Sequence, residues 1–241
     1  SSHKCGVIAS SVGAAGKPAV VENVTVTNST ITSTYERASG ICGDATEATF
    51  NNVSFQGTVT STYVSKEAKS GGFIGQVEDA STFTDCSVDV VLSAKQADIG
   101  GFAGKVIGTA SFTGCKVKAE LTSYASSKNR VGGFIGWNSS VKTVINDCHV
   151  LPGTTLTDQS GRTESSNGNY GGFIGFGDTD GTILEVSGCS ADVDVNGGVS
   201  AYNSTFISYL GYASTATITN CHATGKVFSE TGNYTAGLLA C

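Results

Sequence analysis

Apolar and polar residues alternate along several short segments of the chain. Between Cys115 and Leu121 every second residue is apolar, and the three residues between them are Lys, Lys and Glu. Because successive side chains of a β-strand point to opposite faces, this period of two predicts a half-buried strand. The same alternation runs from Cys86 to Leu92 and from Cys189 to Val195. No segment shows convincing helical periodicity, so the pattern predicts an all-β protein.

A short apolar block bracketed by glycine recurs along the chain. Four copies are clear: Gly72–Gly75, Gly101–Gly104, Gly133–Gly136 and Gly172–Gly175. Weaker copies lie on either side of them, at Gly6–Ala9, Gly40–Gly43, Ser208–Gly211 and Gly237–Ala240. Successive blocks begin 29 to 39 residues apart, so seven units and the start of an eighth fill the chain. A repeat of this length predicts an architecture of stacked units.

A second column of small apolar residues follows the blocks in the same register. It consists of Val24, Val53, Cys86, Cys115, Cys148, Cys189 and Cys221. Another apolar residue lies three positions before each of them: Val21, Phe50, Phe83, Phe112, Ile145, Val186 and Ile218. Units of about 33 residues made of short strands cannot bury an apolar face alone, so neighbouring units must stack. We therefore predict a parallel β-helix (β-solenoid) of seven to eight coils, forming one domain over residues 1–241.

Stacked coils place equivalent residues above one another at about 4.8 Å, which predicts continuous internal rows of like side chains. The predicted aromatic row contains Phe73, Phe102, Phe134, Phe173 and Tyr209, and the predicted inner row contains the five column cysteines. We expect the glycines of the block to permit tight corners and positive φ angles.

The recurring block resembles the Glug-motif repeat of surface-exposed and secreted proteins. The resemblance extends to the stretch from Thr219 to Val227 (TNCHATGKV) and the stretch from Gly232 to Leu239 (GNYTAGLL). It implies an extracellular β-rich repeat of the kind found in adhesins and in non-catalytic parts of surface proteins. The resemblance implies no active site. Phe replaces the usual aliphatic residue of the motif in the four clear blocks.

The composition of the chain limits its possible binding partners and its possible location in or outside the cell. The chain has 14 Lys and Arg against 20 Asp and Glu, a net charge of −6, which is the wrong sign for nucleic-acid binding. No apolar run approaches the roughly 20 residues of a membrane-spanning helix. A chain that begins with Ser and lacks Met is expected to have lost an N-terminal segment on export. Six Asn-X-Ser/Thr sequons are candidate glycosylation sites: Asn23, Asn28, Asn52, Asn138, Asn203 and Asn233.

Residues with catalytic or ligating chemistry are few. His149 and His222 are expected to point outward two coils apart, roughly 10 Å, which is too far for a shared metal ion. Asp178, Asp180, Asp192 and Asp194 lie in one unit, and a carbohydrate or calcium site there is a weaker alternative to solvated turn and strand residues. No nucleophile motif or dinucleotide fingerprint is present. We predict no catalytic residue, no metal site and no cofactor.

The cysteines leave two alternatives open. The column cysteines are predicted to be buried reduced thiols, with vertical disulfides such as Cys86–Cys115 as the alternative. Cys5 and Cys241 are expected at opposite ends of the rod. Neither end carries a recognisable cap, so the chain is either cut from a longer protein or meets neighbouring subunits head to tail. In the second case Cys5 and Cys241 would lie near the joint between subunits.

We therefore predict an extracellular structural or adhesive protein, secreted or at the cell surface, that forms a head-to-tail homopolymer. Glycans or a neighbouring cell surface are further expected partners. The alternative is a carbohydrate-binding or carbohydrate-active solenoid. Ice binding is disfavoured, because Thr pairs such as Thr58 and Thr60 do not recur in every coil.

Overall fold

The chain forms an all-β solenoid of parallel sheets, about seven turns long with roughly 32 residues per turn. This computed structural model describes residues 3–65, 68–95, 98–126, 129–163, 166–177, 181–211, 214–230 and 234–239. These residues contain no helix, as the period-two pattern predicts. Accordingly, this part of the chain has no helix that is long and apolar enough to cross a bilayer.

The first six coils each contribute to three sheets, whose strands are numbered in chain order. Sheet I contains β1 (Lys4–Cys5), β4 (Arg37–Ser39), β7 (Lys69–Gly71), β11 (Asp98–Gly100), β15 (Arg130–Gly132), β19 (Ser166–Gly171), β23 (Ser200–Ser204) and β27 (Tyr234–Ala236). Sheet II contains β2 (Ala9–Val12), β5 (Cys42–Thr46), β8 (Ile74–Asp79), β12 (Ala103–Val106), β16 (Ile135–Asn138) and β20 (Ile174–Gly177).

Sheet III is the largest and folds around a corner within each coil. Before the corner lie β9 (Ser81–Thr84), β13 (Thr109–Thr113), β17 (Lys142–Asn146), β21 (Ile183–Ser187) and β24 (Thr215–Thr219). After it lie β10 (Ser87–Ala94), β14 (Lys116–Ser123), β18 (His149–Asp158), β22 (Ser190–Asn196), β25 (His222–Thr224) and β26 (Val227–Phe228). In the first two coils β3 (Ala19–Ser33) and β6 (Ala48–Ser61) run through the corner without a break.

Strand pairing between coils is parallel and largely in register. Phe112 of β13 pairs with Phe83 on one side and with Ile145 on the other. Val117 of β14 pairs with Val88 and Val150. Like residues therefore stack coil upon coil, which confirms the predicted architecture.

The corner of sheet III is made by the residue just before each member of the Val/Cys column. That residue has a positive φ of 51° to 67° in every coil: Asn23, Asn52, Asp85, Gly114, Asp147, Gly188 and Asn220. Asn, Asp and Gly tolerate this left-handed conformation best. The turn explains why two residues three positions apart, such as Phe112 and Cys115, both lie in the core. In a regular strand residues three apart would face opposite ways.

The glycines of the recurring block were expected to permit positive φ angles, but the structure requires them for a different reason. Gly101 and Gly133 do not have positive φ angles. Instead, a Cβ at Gly101 would overlap the carbonyl oxygen of Gly133, and one at Gly133 would overlap that of Gly172. Close approach between the backbones of neighbouring coils therefore requires these glycines.

Two columns of phenylalanine fill the core. In the first, ring centroids are 4.6 Å apart for Phe73–Phe102 and 5.1 Å apart for both Phe102–Phe134 and Phe134–Phe173. The second column, Phe50, Phe83 and Phe112, meets the first edge to face at 5.4 to 6.0 Å. Such geometries favour aromatic pairs beyond simple burial.

The predicted position of Tyr209 in the aromatic row is wrong. Phe206 occupies that place, with its ring centroid 4.9 Å from that of Phe173. The Phe173 amide also donates to the Phe206 carbonyl at 2.7 Å. The block of this coil therefore begins three residues earlier than the glycine spacing indicated, and Tyr209 stacks on Phe176 at 4.9 Å instead.

Candidate functional site

A seam of charged and aromatic side chains runs along the solenoid between sheets I and II. Sheet I contributes Lys4, Arg37, Lys69, Asp98, Arg130, Asn169, Tyr202 and Tyr234, which stack in register. Sheet II contributes Ser11, Asp44, Gln76, Lys105, Trp137 and Phe176, and Tyr209 of the following coil stacks on Phe176. The glycine-bracketed turn joins the two sheets and brings the two rows face to face. The repeat thus builds a continuous feature that sequence analysis did not identify.

The seam is charged in its first coils. Asp44 is buried and accepts from both Lys4 and Arg37, while Arg37 Nη1 lies 3.4 Å from Glu78 Oε1. Burial raises the pKa of Asp44, and the hydrogen bond from Lys4 and the charge of Arg37 oppose that rise. These carboxylates are engaged by cations, an arrangement typical of structural ion pairs.

Asp98 is the most deeply buried charge of the seam. Arg130 Nε donates to Asp98 Oδ1 at 2.6 Å, and the Asp98 residue is fully buried. Burial raises the pKa of Asp98 to about 6, against the opposing effects of Arg130, Lys69 and Lys105. Its carboxylate therefore depends on neighbouring cations for its ionised form.

The later coils make the seam aromatic. Both Lys105 Nζ and the Arg130 guanidinium carbon lie over the ring of Trp137, 3.3 and 3.5 Å from its centroid. Two cationic side chains therefore contact the ring of Trp137. Beyond it, Tyr202 meets Tyr209 edge to face at 5.0 Å.

A polar cluster fills the corner where β18 turns toward sheet I. Arg162 Nη2 donates to Asp158 Oδ2 at 2.8 Å and to Asn129 Oδ1 at 3.4 Å. Asn129 Nδ2 in turn donates to the hydroxyl of Tyr170 at 2.6 Å, and both of these residues are buried. Burial and the charge of Asp158 raise the pKa of Tyr170. A cleft of about 310 Å³, lined in part by Glu230, opens beside this cluster.

The cysteine column lies where it was predicted. Cys86, Cys115, Cys148 and Cys189 are buried, and Cys221 is half-buried in the last coil. All five are free thiols, as are Cys5 and Cys42, whereas Cys241 lies outside the described residues. Burial raises the pKa of the Cys148 thiol, which favours the protonated form.

Each column thiol also has local hydrogen-bond partners. The thiols donate to the carbonyl two residues earlier, for example Cys148 Sγ to Asn146 O at 3.3 Å. Backbone amides of neighbouring coils donate back to sulfur: Cys115 N to Cys148 Sγ and Cys148 N to Cys189 Sγ, both at 3.4 Å. The sulfur atoms of Cys148 and Cys189 therefore both donate and accept hydrogen bonds.

The histidines stay apart, as expected. His149 and His222 occupy one row with Ser190 between them, and His149 contacts Ser190 Oγ at 2.9 Å and Asp147 Oδ1 at 3.1 Å. Within the described ranges, no three His, Cys, Asp or Glu side chains converge as metal ligands. Asp194 accepts from the Lys226 amide at 2.9 Å, while Asp178 and Asp180 lie outside the described residues.

Two of the six glycosylation candidates are incompatible with the fold. Asn138 and Asn203 are both fully buried. Asn138 accepts from Thr143 at 2.8 Å, and Asn203 Nδ2 donates to the Ser200 carbonyl at 2.9 Å. A glycan on either would displace core residues, so the expectation for these two is wrong. Asn23, Asn28 and Asn52 are exposed, and Asn233 lies outside the described residues.

No family model matches the chain, and no curated protein does so at a significant level.

Proposed function

We propose that the chain is an extracellular structural element that assembles end to end through its terminal coils. The observation that supports this is the exposure of core columns at both ends of the stack. In the first coil Val21, Val24 and Val26 are only half-buried, although their equivalents in the next coil are fully buried. In the last coil Ile218 and Ala223 are likewise half-buried and pack on the core from one side.

The two ends are complementary in register. Ile218, Cys221 and Ala223 occupy the same three columns as Val21, Val24 and Val26, with the same spacing of three and then two residues. A second copy placed beneath the last coil would continue each column and extend the parallel ladder from β24 to β3. An open parallel edge favours such pairing. The occupant we propose is therefore another copy of this chain.

Assembly is tested with the purified 241-residue chain, observed by negative-stain microscopy and sedimentation over a range of concentrations. We expect rods that lengthen with concentration. A uniform population of short rods at every concentration would overturn the proposal.

A matched pair of variants separates end contacts from general effects. Val24→Asp places a charge in the end column, whereas Val20→Asp places it on a neighbouring side chain that is already 63 % exposed. Val24→Asp should abolish lengthening, and Val20→Asp should leave it intact. Equal behaviour of the two variants would contradict end-to-end assembly. Cys5, half-buried in the first coil, and Cys241 remain predicted neighbours at the joint.

The extracellular setting is supported by three exposed sequons. Secretion of the chain from eukaryotic cells, followed by intact-mass measurement, should show glycan lost in Asn23→Gln, Asn28→Gln or Asn52→Gln. Asn138→Gln and Asn203→Gln are the controls, since their buried side chains should carry no glycan in folded protein. A bare polypeptide would remove this support.

Carbohydrate binding stays a prediction without a specific structural observation in its favour. The ring of Trp137, the largest aromatic of the seam, is already contacted by two cationic side chains, Lys105 and Arg130. A glycan array combined with a reducing-sugar release assay tests this alternative.

A further inference from the structure

Two tyrosines at the end of the sheet I row of the seam stack on each other. Parallel pairing of β23 with β27 places Tyr202 and Tyr234 in register. Their ring centroids are 4.8 Å apart, and the angle between the ring planes is 5°. The six earlier members of this row carry amide or charged side chains. Within the eight described members of the row, only these two are phenols.

We propose that Tyr202 and Tyr234 are the site of an oxidative crosslink, a carbon–carbon bond between their two rings. The oxidant is hydrogen peroxide, acting through a haem peroxidase that removes one electron at a time. Each phenol loses one electron and one proton, and the two phenoxyl radicals couple at ring carbons beside their oxygens. The hydrogens on these carbons then move to the oxygens, so both hydroxyl groups are restored. The two electrons and two protons reduce one peroxide molecule to two water molecules.

The geometry of the pair suits this coupling. Because the strands pair in register and the ring planes are almost parallel, the two rings lie within one coil spacing of each other. Tyr234 belongs to a strand of only three residues at the end of sheet I, and its side chain is 49 % exposed. Its ring therefore has room to tilt and bring a ring carbon to bonding distance from Tyr202.

Exposure and stacking together select this pair from the other described tyrosines. Tyr170 is fully buried, so a peroxidase cannot reach it. Tyr124 is 47 % exposed but stacks on no other tyrosine in the described part of the chain. Tyr209 meets Tyr202 edge to face, with 70° between the ring planes. Only Tyr202 and Tyr234, among the residues that the structure describes, combine solvent access with a parallel phenol partner.

The crosslink fastens the end of the stack. The last strands are short, since β26 has two residues and β27 has three, and short terminal strands fray because few contacts hold them. Cys221 of the last coil is a free thiol. A bond between Tyr202 and Tyr234 closes a loop over residues 202–234 and restricts the unfolded chain, as a disulfide does. It forms within one chain and does not depend on end-to-end assembly.

The test treats the dilute, unglycosylated 241-residue chain with a haem peroxidase and limiting hydrogen peroxide. Trypsin then cleaves after Arg162 and Lys226, so the crosslink joins peptide 163–226 to peptide 227–241, in which Tyr234 is the single tyrosine. We expect a joined peptide with the mass of the two peptides less two hydrogen atoms, together with dityrosine fluorescence. A reducing denaturing gel should show the crosslinked protein as a monomer.

Phenylalanine variants keep the stacked ring and remove only the hydroxyl group. Tyr202→Phe and Tyr234→Phe should each abolish the joined peptide. Tyr209→Phe is the matched control, because Tyr209 lies in the same tryptic peptide as Tyr202 and its ring centroid is 5.0 Å from that of Tyr202. It should leave the yield of joined peptide unchanged. Circular dichroism verifies that each variant folds.

Absence of the joined peptide from the wild-type chain, under conditions in which the same peroxidase couples free tyrosine, would overturn the proposal. So would its persistence in Tyr202→Phe, its loss in Tyr209→Phe, or crosslinks found only between chains. None of these results decides end-to-end assembly, which is measured separately by the length of the rods.

Discussion

Arg130 holds Trp137 and Asp98 together: its guanidinium carbon lies 3.5 Å from the Trp137 ring centroid while its Nε donates to Asp98 Oδ1 at 2.6 Å. One side chain thus joins the charged half of the seam to its aromatic half. Trp137 is the single tryptophan of the chain, so its fluorescence reports on this junction.

Replacing Arg130 with an uncharged residue should lower the free energy of unfolding, because the buried Asp98 would lose its neighbouring cation. Arg130→Gln leaves the fully buried Asp98 without its main partner, and we expect a loss of about 3 to 5 kcal/mol of unfolding free energy. Lys142→Gln is the matched control, because the Lys142–Glu185 pair at 2.8 Å is solvent-exposed and should contribute at most about 1 kcal/mol. Denaturant unfolding followed by Trp137 fluorescence measures both. Equal losses would show that burial of the ion pair does not decide its effect.

The aromatic column should dominate the stability of the middle coils. Phe134 is fully buried between Phe102 and Phe173, so Phe134→Ala should cost about 3 to 5 kcal/mol. Phe228, which is 55 % exposed, supplies the comparison, and its replacement by Ala should stay near 0.5 kcal/mol. Thermal and urea unfolding test the pair. A Phe134→Ala protein as stable as Phe228→Ala would contradict the stacked core.

Glycines in the block should be intolerant of a methyl group. A Cβ at Gly101 would overlap the Gly133 carbonyl oxygen, so Gly101→Ala should force the coils apart and prevent native folding or lower the melting temperature strongly. Gly237 has the same place in its repeat but nothing within 4 Å of its added Cβ, so Gly237→Ala should be nearly neutral. Circular dichroism melting compares the two. A native-like Gly101→Ala protein would show that the coils are not as close as described.

Stability should depend on pH through Asp98. Its pKa is about 6 in the folded chain against an ordinary 3.8, so the unfolded chain ionises at lower pH than the folded chain. The contribution is therefore fully present below about pH 4 and is lost as the pH rises through about 6, a change of about 3 kcal/mol. Asp98→Asn should remove this fall. Urea unfolding from pH 4 to 7 measures it, and a wild-type curve parallel to that of Asp98→Asn would refute the assignment.

Some of the core could be read from the chain without any structure. Alternation after Cys115 identifies a half-buried strand because a strand places every second side chain on one face. Recurrence of the Phe and Cys columns identifies stacking because a coil of this length cannot bury its own apolar face. Alternation and recurrence are local or periodic properties of the sequence. Phe102 and Cys148, which they placed in the core, are both buried.

Other features could not be predicted from the sequence, because they depend on how strands pair between coils of unequal length. Only strand pairing shows that Phe206, not Tyr209, follows Phe173, because a three-residue shift leaves the local pattern almost unchanged. Burial of Asn138 likewise cannot be read from a sequon, which is a local motif.

The sequence by itself determined a parallel stack with internal rows of Phe and Cys. The alternation within each strand and the recurrence of like residues from coil to coil are enough to identify which strand faces must be buried. Only the tertiary structure decided that Arg130 lies between Asp98 and Trp137, since these contacts join side chains from two sheets and neighbouring coils. It also decided that Gly101 is needed for close backbone approach rather than for a left-handed turn, because distances between coils depend on packing and not on the local order of residues.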